Sequence, residues 1–190
     1  MGCHIFDPVF GALGLGAPSE VTSVGPQHHR ETFAADSDIQ YVFPGTALTT
    51  DELRLRWTDG SAGSRPDASR AQLPDDVELP GAGSFLVGEK GVLVLPHWSA
   101  FSCYHAGQPL EVERVELPSR DHYHEWADAC RGEGQSSTPF SYSSRVTEAV
   151  LVGTVAGAFQ GRKLKWDAAK ESFGDPEADA LVSCAERKDW

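Results

Sequence analysis

The chain has 190 residues, 40% apolar and 23% charged, enough for one soluble globular domain with a core of its own. Its 28 acidic and 16 basic side chains give a formal net charge of -12. This excludes nucleic acid and anionic membrane as main partners, because both require clustered positive charge and the most basic stretch, Arg162-Lys163-Leu164-Lys165, is short.

The N-terminus, Met1-Gly2-Cys3-His4-Ile5-Phe6, has neither the basic start nor the apolar stretch of a signal peptide. Phe6 stands where a myristoylation signal requires Ser or Thr. Ile5, Val9, Ala12 and Leu13 follow helical spacing, and Gly14, Gly16 and Pro18 stop the helix. A short strand is expected from Glu20 to Val24. A second covers Ile39 to Phe43, closed by Pro44-Gly45. Leu53 to Thr58 alternates strictly, with Leu53, Leu55 and Trp57 toward a core and Arg54, Arg56 and Thr58 outward, the pattern of an antiparallel sheet with one open face. Residues 61 to 83, rich in Gly, Pro, Ser and Asp, read as a long surface excursion. Phe85-Leu86-Val87 and Val92 to Leu95 form a hairpin about Gly88-Glu89-Lys90-Gly91.

Helices dominate the C-terminal part. Asp121 caps one, with Tyr123, Trp126 and Cys130 on a shared face and Gly132 at its end. Ser144 is placed to cap a longer one that runs to Gly161, with Val146, Ala149, Val150, Gly153 and Gly157 on its packed side. The nearly apolar run within it, Ala149 to Phe159, falls short of the roughly 20 residues that span a bilayer. Lys163 to Asp167 is a strand, and Asp175-Pro176 opens a last helix to about 187 with Ala178, Leu181, Val182 and Ala185 as its buried stripe. Together these predict a single α+β domain over residues 1–190. It has an open, mostly antiparallel sheet, one face of which is covered by the helices near 121–131, 144–160 and 176–187. Cys3, Cys103, Cys130 and Cys184 show no metal-ligand spacing and are read as free thiols.

His4 is the leading candidate for chemistry. It sits one turn from Asp7 on the opening helix, and a histidine exchanges protons near neutral pH. His122 and Glu125 form a second pair at helical spacing. His122 and His124 project in different directions, so they make no natural metal clamp, and no metal is expected. The adjacent His28 and His29 are given no role. Gly11 to Gly16 ends a helix rather than opening one, so it does not cradle a pyrophosphate.

Several segments, in order, resemble one family. Met1 to Asp7 looks like the tail of the Asp-x-Gly-x-His-x-x-Asp motif of Gfo/Idh/MocA oxidoreductases. Tyr41 to Gly45, Gly83 to Gly91, His122 to Gly132, Phe140 to Gly153, Leu164 to Asp167 and Arg187 to Trp190 are similar to the bacterial-type C-terminal domain of that family. One departure is Asp189, where that type has Gly before the final Trp. The resemblance implies the substrate-side half of an enzyme that uses NAD or NADP on a sugar or polyol. His4 would be catalytic acid/base and Asp7 and His122 substrate-binding. It implies an N-terminal Rossmann domain as the missing partner, which would bring the dinucleotide and the catalytic lysine, so that this chain alone binds neither cofactor. It also implies a homo-oligomer formed through the open sheet face and, in the absence of a signal upstream, a cytoplasmic protein. Two alternatives remain: a free-standing module that binds carbohydrate or oligomerises, and a domain of an NAD-dependent glycosidase of the same superfamily.

Overall fold

The computed structural model describes residues 2–29, 32, 34–60, 73–74 and 76–183. The chain divides into two compact units: Met1–Pro66 with Arg145–Trp190, and Asp67–Ser144. Each has its own antiparallel sheet, so the strands that the sequence suggests for one sheet belong to two.

In the first unit, β1 (Glu20–Ser23), β2 (Ser37–Pro44), β3 (Glu52–Asp59) and β8 (Lys163–Lys165) form a sheet in the order β3-β2-β1-β8. β1 to β3 are consecutive in the chain, and β8 pairs antiparallel with β1 at Val21↔Leu164. The pleat sends Val21, Ile39, Tyr41, Phe43 and Leu164 to one face, where all are buried. Two helices cover that face. α1 (Gly2–Leu13) buries Phe6, Val9 and Phe10, and the Phe6 ring meets Tyr41 edge-on at 5.4 Å and Trp57 at 5.9 Å. α3 (Phe140–Gly157) buries Val146, Ala149, Val152, Gly153, Ala156 and Gly157. It crosses the boundary between units, and the packing residues from Val146 onward belong to the first.

The small residues of α3 have two distinct reasons. A Cβ on Gly153 would overlap the Tyr41 hydroxyl, so this glycine permits close approach to the sheet as its spacing predicts. A Cβ on Gly157 would instead overlap the His28 ring, which comes from the β1–β2 connection. Trp166 Nε1 donates to Glu148 Oε1 at 2.6 Å, and the Trp166 ring packs on Phe173 with centroids 4.7 Å apart.

Helix boundaries depart from expectation at two places. α3 begins at Phe140, just after Pro139, whose carbonyl accepts from the N–H groups of Tyr142 and Ser143. Ser144 therefore lies inside the helix. The last helix, α4 (Pro176–Asp179), has the expected Asp175 cap but only four residues. Leu181 and Val182, expected in a buried stripe, stand 42% and 40% exposed. Residues 180–182, expected to continue it, form turns, and the rest of the expected helix from Cys184 to 187, together with the closing residues 187–190, lies outside the described residues.

In the second unit, β4 (Gly83–Gly88), β5 (Gly91–Pro96), β6 (Ser102–His105) and β7 (Gln108–Leu110) follow one another as an antiparallel meander. The β4–β5 hairpin is the one expected. The β6–β7 turn at Ala106-Gly107 needs positive φ at both residues, 48° and 73°, and Ala-Gly is not the composition that signals such a turn. Leu73, Val92 and Val94 form this unit's core. Of the expected surface excursion, residues 61–72 and 75 are outside the described set, and Leu73 is buried. α2 (His122–Cys130) has its Asp121 cap but buries none of its side chains. Its expected apolar face is exposed at Tyr123 and Trp126.

Candidate functional site

His4 and Asp7 lie on α1, and the packing of that helix fixes their direction. Phe6, Val9 and Phe10 face the sheet, so His4, two residues before Phe6, points nearly opposite and is exposed. Asp7 flanks it, partly buried, three residues on. Pro8 stands inside α1 with no N–H to give to the His4 carbonyl one turn back. At its C-terminal end the helix is held by Thr46, whose hydroxyl donates to the Leu13 carbonyl at 2.8 Å, and by Gly14 at φ 62°. Its first residue packs against α3, where a Cβ on Gly2 would stand 3.0 Å from Val150 Cγ1. The helix carrying His4 is therefore anchored at both ends and along one side.

The third expected site residue, His122, belongs to the second unit. It is exposed at the start of α2, with its ring 4.0 Å from that of Tyr123. Its expected partner Glu125 accepts the Ser137 N–H, and this bond, with Arg120 nearby, holds the Glu125 carboxyl below its ordinary range. Asp121 makes two kinds of contact. Oδ1 accepts from the N–H groups of Tyr123 and His124, and Oδ2 stands 2.8 Å from His124 Nδ1. An ionised carboxylate only accepts, so in this contact Nδ1 is the donor. The sequence offers the DHYHE run, but the partner of His124 is its own cap.

The uncovered face of the first sheet carries Glu52, Arg54, Arg56 and Thr58 of β3, Asp38, Gln40 and Val42 of β2, Glu20 and Thr22 of β1, and Lys163 and Lys165 of β8. Opposite charges meet across it. Arg56 bonds Asp38 through two nitrogens at 2.8 and 2.6 Å, Arg54 lies 3.1 Å from Glu52, and Lys163 lies 2.7 Å from Glu20. The alternation in β3 predicts this open polar face.

A shallow open cavity of about 450 Å³ lies at one end of the same sheet, lined by Val24, Gly25, Pro26, Asp36, Ser37, Asp38 and Gln160. It contains none of the three expected site residues. Beside it stands His28, whose Nε2 is 3.4 Å from Ser37 Oγ. Among the described residues no group of three or more His, Cys, Asp or Glu is placed to hold a metal ion, and no helix is long and apolar enough to cross a membrane. Cys3, Cys103 and Cys130 are free thiols.

A scan against protein-family models and a search of curated proteins gave no match to this chain.

Proposed function

We propose that this chain is the substrate-side half of an NAD(P)-dependent sugar or polyol oxidoreductase of the Gfo/Idh/MocA type, with His4 as its acid/base. The observation that carries this reading is the His4-x-x-Asp7 pair on a helix anchored by Phe6 to an antiparallel sheet whose other face is open and polar. His4 accepts the proton of a substrate hydroxyl as the carbinol carbon is oxidised, and returns it in the reverse direction. Asp7, on the same side of α1, binds a neighbouring substrate hydroxyl.

Gly11 to Gly16 closes α1 instead of opening a helix, Gly14 being its left-handed terminator, so this segment does not present backbone N–H groups to a pyrophosphate. In the proposed enzyme the cofactor belongs to a domain other than these residues. The open sheet face is where copies of the enzyme associate. A free-standing carbohydrate-binding module would use the same face.

Calorimetric titration of the 190-residue chain with NAD, NADH, NADP and NADPH tests the reading, followed by the same titrations and a hydride-transfer assay on a panel of sugars and polyols after fusion to a Rossmann domain of that family. The chain alone gives no binding, and the fusion binds and turns over. Micromolar binding by the chain alone overturns the division of labour. A fusion that binds dinucleotide yet oxidises no sugar or polyol overturns the substrate class.

A further inference from the structure

The connection after β1 is fastened to the far end of α3 at three points. The His28 N–H donates to the carbonyl of Gly157, the last residue of α3, at 2.9 Å. The Gln27 side-chain amide donates to the Ala158 carbonyl at 3.2 Å. The His28 ring fills the notch left by the absent side chain of Gly157, with its Nδ1–Cε1 edge against that residue. On its other side, Nε2 faces Ser37 Oγ, and the ring also bonds the Asp36 backbone. One half-buried imidazole thus ties together the connection, the end of a helix and the start of β2. The sequence offers no hint of this, because His28 and Gly157 are far apart in the chain.

We propose that His28 is an acid-sensitive latch, neutral when seated in the Gly157 notch and released on protonation. Charging the ring requires a proton on both nitrogens, one of which lies against helix backbone instead of water. Among the described residues the ionisable groups near it include Asp36, just before β2, Asp38 of β2, which is tied to Arg56, and His29 on the ring's own segment. Gly157 and Ala158, which the connection meets at the end of α3, carry no charge. The carboxylates and the negative end of α3 favour the cation. Burial opposes it and is the larger effect, holding the His28 pKa below its ordinary 6.5 despite the bond to Asp36. The folded state therefore binds the proton more weakly than the released one. The latch is complete above the ordinary histidine value and is lost as pH falls through the lowered one. Between those two values, opening rises about tenfold per pH unit.

The test is nuclear magnetic resonance on the full chain, following the His28 ring proton and amide exchange corrected for its intrinsic pH dependence, from about pH 8 to about pH 5. Amides of Val24 to His29 and of Ala156 to Ala158 lose protection together, with the midpoint at which the His28 ring titrates. In His28→Gln the protection of both segments becomes independent of pH. In Gly157→Ala the ring is evicted and the connection exchanges freely at every pH while the sheet stays protected. If both segments remain protected while His28 titrates, or if His28→Gln opens with acid as the wild type does, the latch is overturned. The wild-type arm decides the matter even if neither variant folds.

Discussion

The Tyr41 hydroxyl occupies the space that a side chain on Gly153 would need. Tyr41 is buried at the centre of the first sheet, and burial pushes its phenol far above the ordinary range, so its ring is fixed in place and uncharged. The close approach of α3 to β2 depends on this pair.

Gly153→Ala should therefore destabilise the chain by roughly 1–3 kcal/mol, the usual cost of forcing atoms into a filled core. Helix propensity alone predicts the reverse, a gain of about 1 kcal/mol for Ala over Gly, so denaturant unfolding decides between them by sign. Tyr41→Phe removes the atom that the new methyl meets first, and the double variant should recover part of the loss. A more stable Gly153→Ala would mean that α3 does not approach the sheet in this way.

The open face leads to a different expectation. Arg56 and Asp38 form a two-nitrogen ion pair in which the Arg56 side chain is 44% exposed and the Asp38 side chain only 14%. Arg56→Ala should destabilise the chain by about 1–3 kcal/mol, because it leaves a largely buried carboxylate without its partner. If this face joins two copies, Arg56→Glu shifts sedimentation of the full chain toward monomer by placing a second carboxylate beside Asp38. Equal association in wild type and Arg56→Glu would exclude the face as the contact.

Asp121 sets an acid limit for α2. Its carboxyl lies below the ordinary range first because it accepts the His124 N–H, then through the His124 side chain. A carboxyl whose folded pKa is depressed supports the helix above its unfolded value, and that support is lost as pH falls through the folded value. The helical signal of α2 should therefore persist through mild acid and fade only below the ordinary carboxylate range. Asp121→Asn, which still caps, should abolish this dependence while keeping the helix; Asp121→Ala should weaken the helix at all pH values. Following the Tyr123 and His124 amides with pH distinguishes these outcomes.

How much of the fold is legible in the sequence depends on the range of the interactions. α1, β2, β3 and the β4–β5 hairpin are set by local periodicity and turn residues, and they are legible. The partition of strands between two sheets depends on pairings such as Val21↔Leu164, which no local pattern records. The last helix is shorter than its spacing suggests because after Asp179 the chain tightens into turns, in which the Leu181 and Val182 N–H groups donate to carbonyls three residues back instead of four. At the site, the shared side of His4 and Asp7 is legible from spacing. Their expected companion His122 lies in the other unit, and the histidine with the most tightly fitted surroundings, His28, is defined by a glycine at the other end of the chain.

His4 carries the most direct test of the proposed chemistry. On α1 it is exposed and lies opposite Phe6, the residue that anchors the helix. His4→Ala in the Rossmann-domain fusion should leave dinucleotide affinity unchanged within error, since in the proposed enzyme the cofactor belongs to the other half. Turnover should fall by about 100- to 10,000-fold, the usual contribution of a general acid/base. His4→Gln separates positioning from proton transfer, because it can still bond a substrate hydroxyl but cannot accept its proton. It should keep KM near the wild-type value while kcat falls as in His4→Ala. If kcat survives within a few fold, or if KM rises while kcat holds, His4 is a binding residue and the proton must go elsewhere.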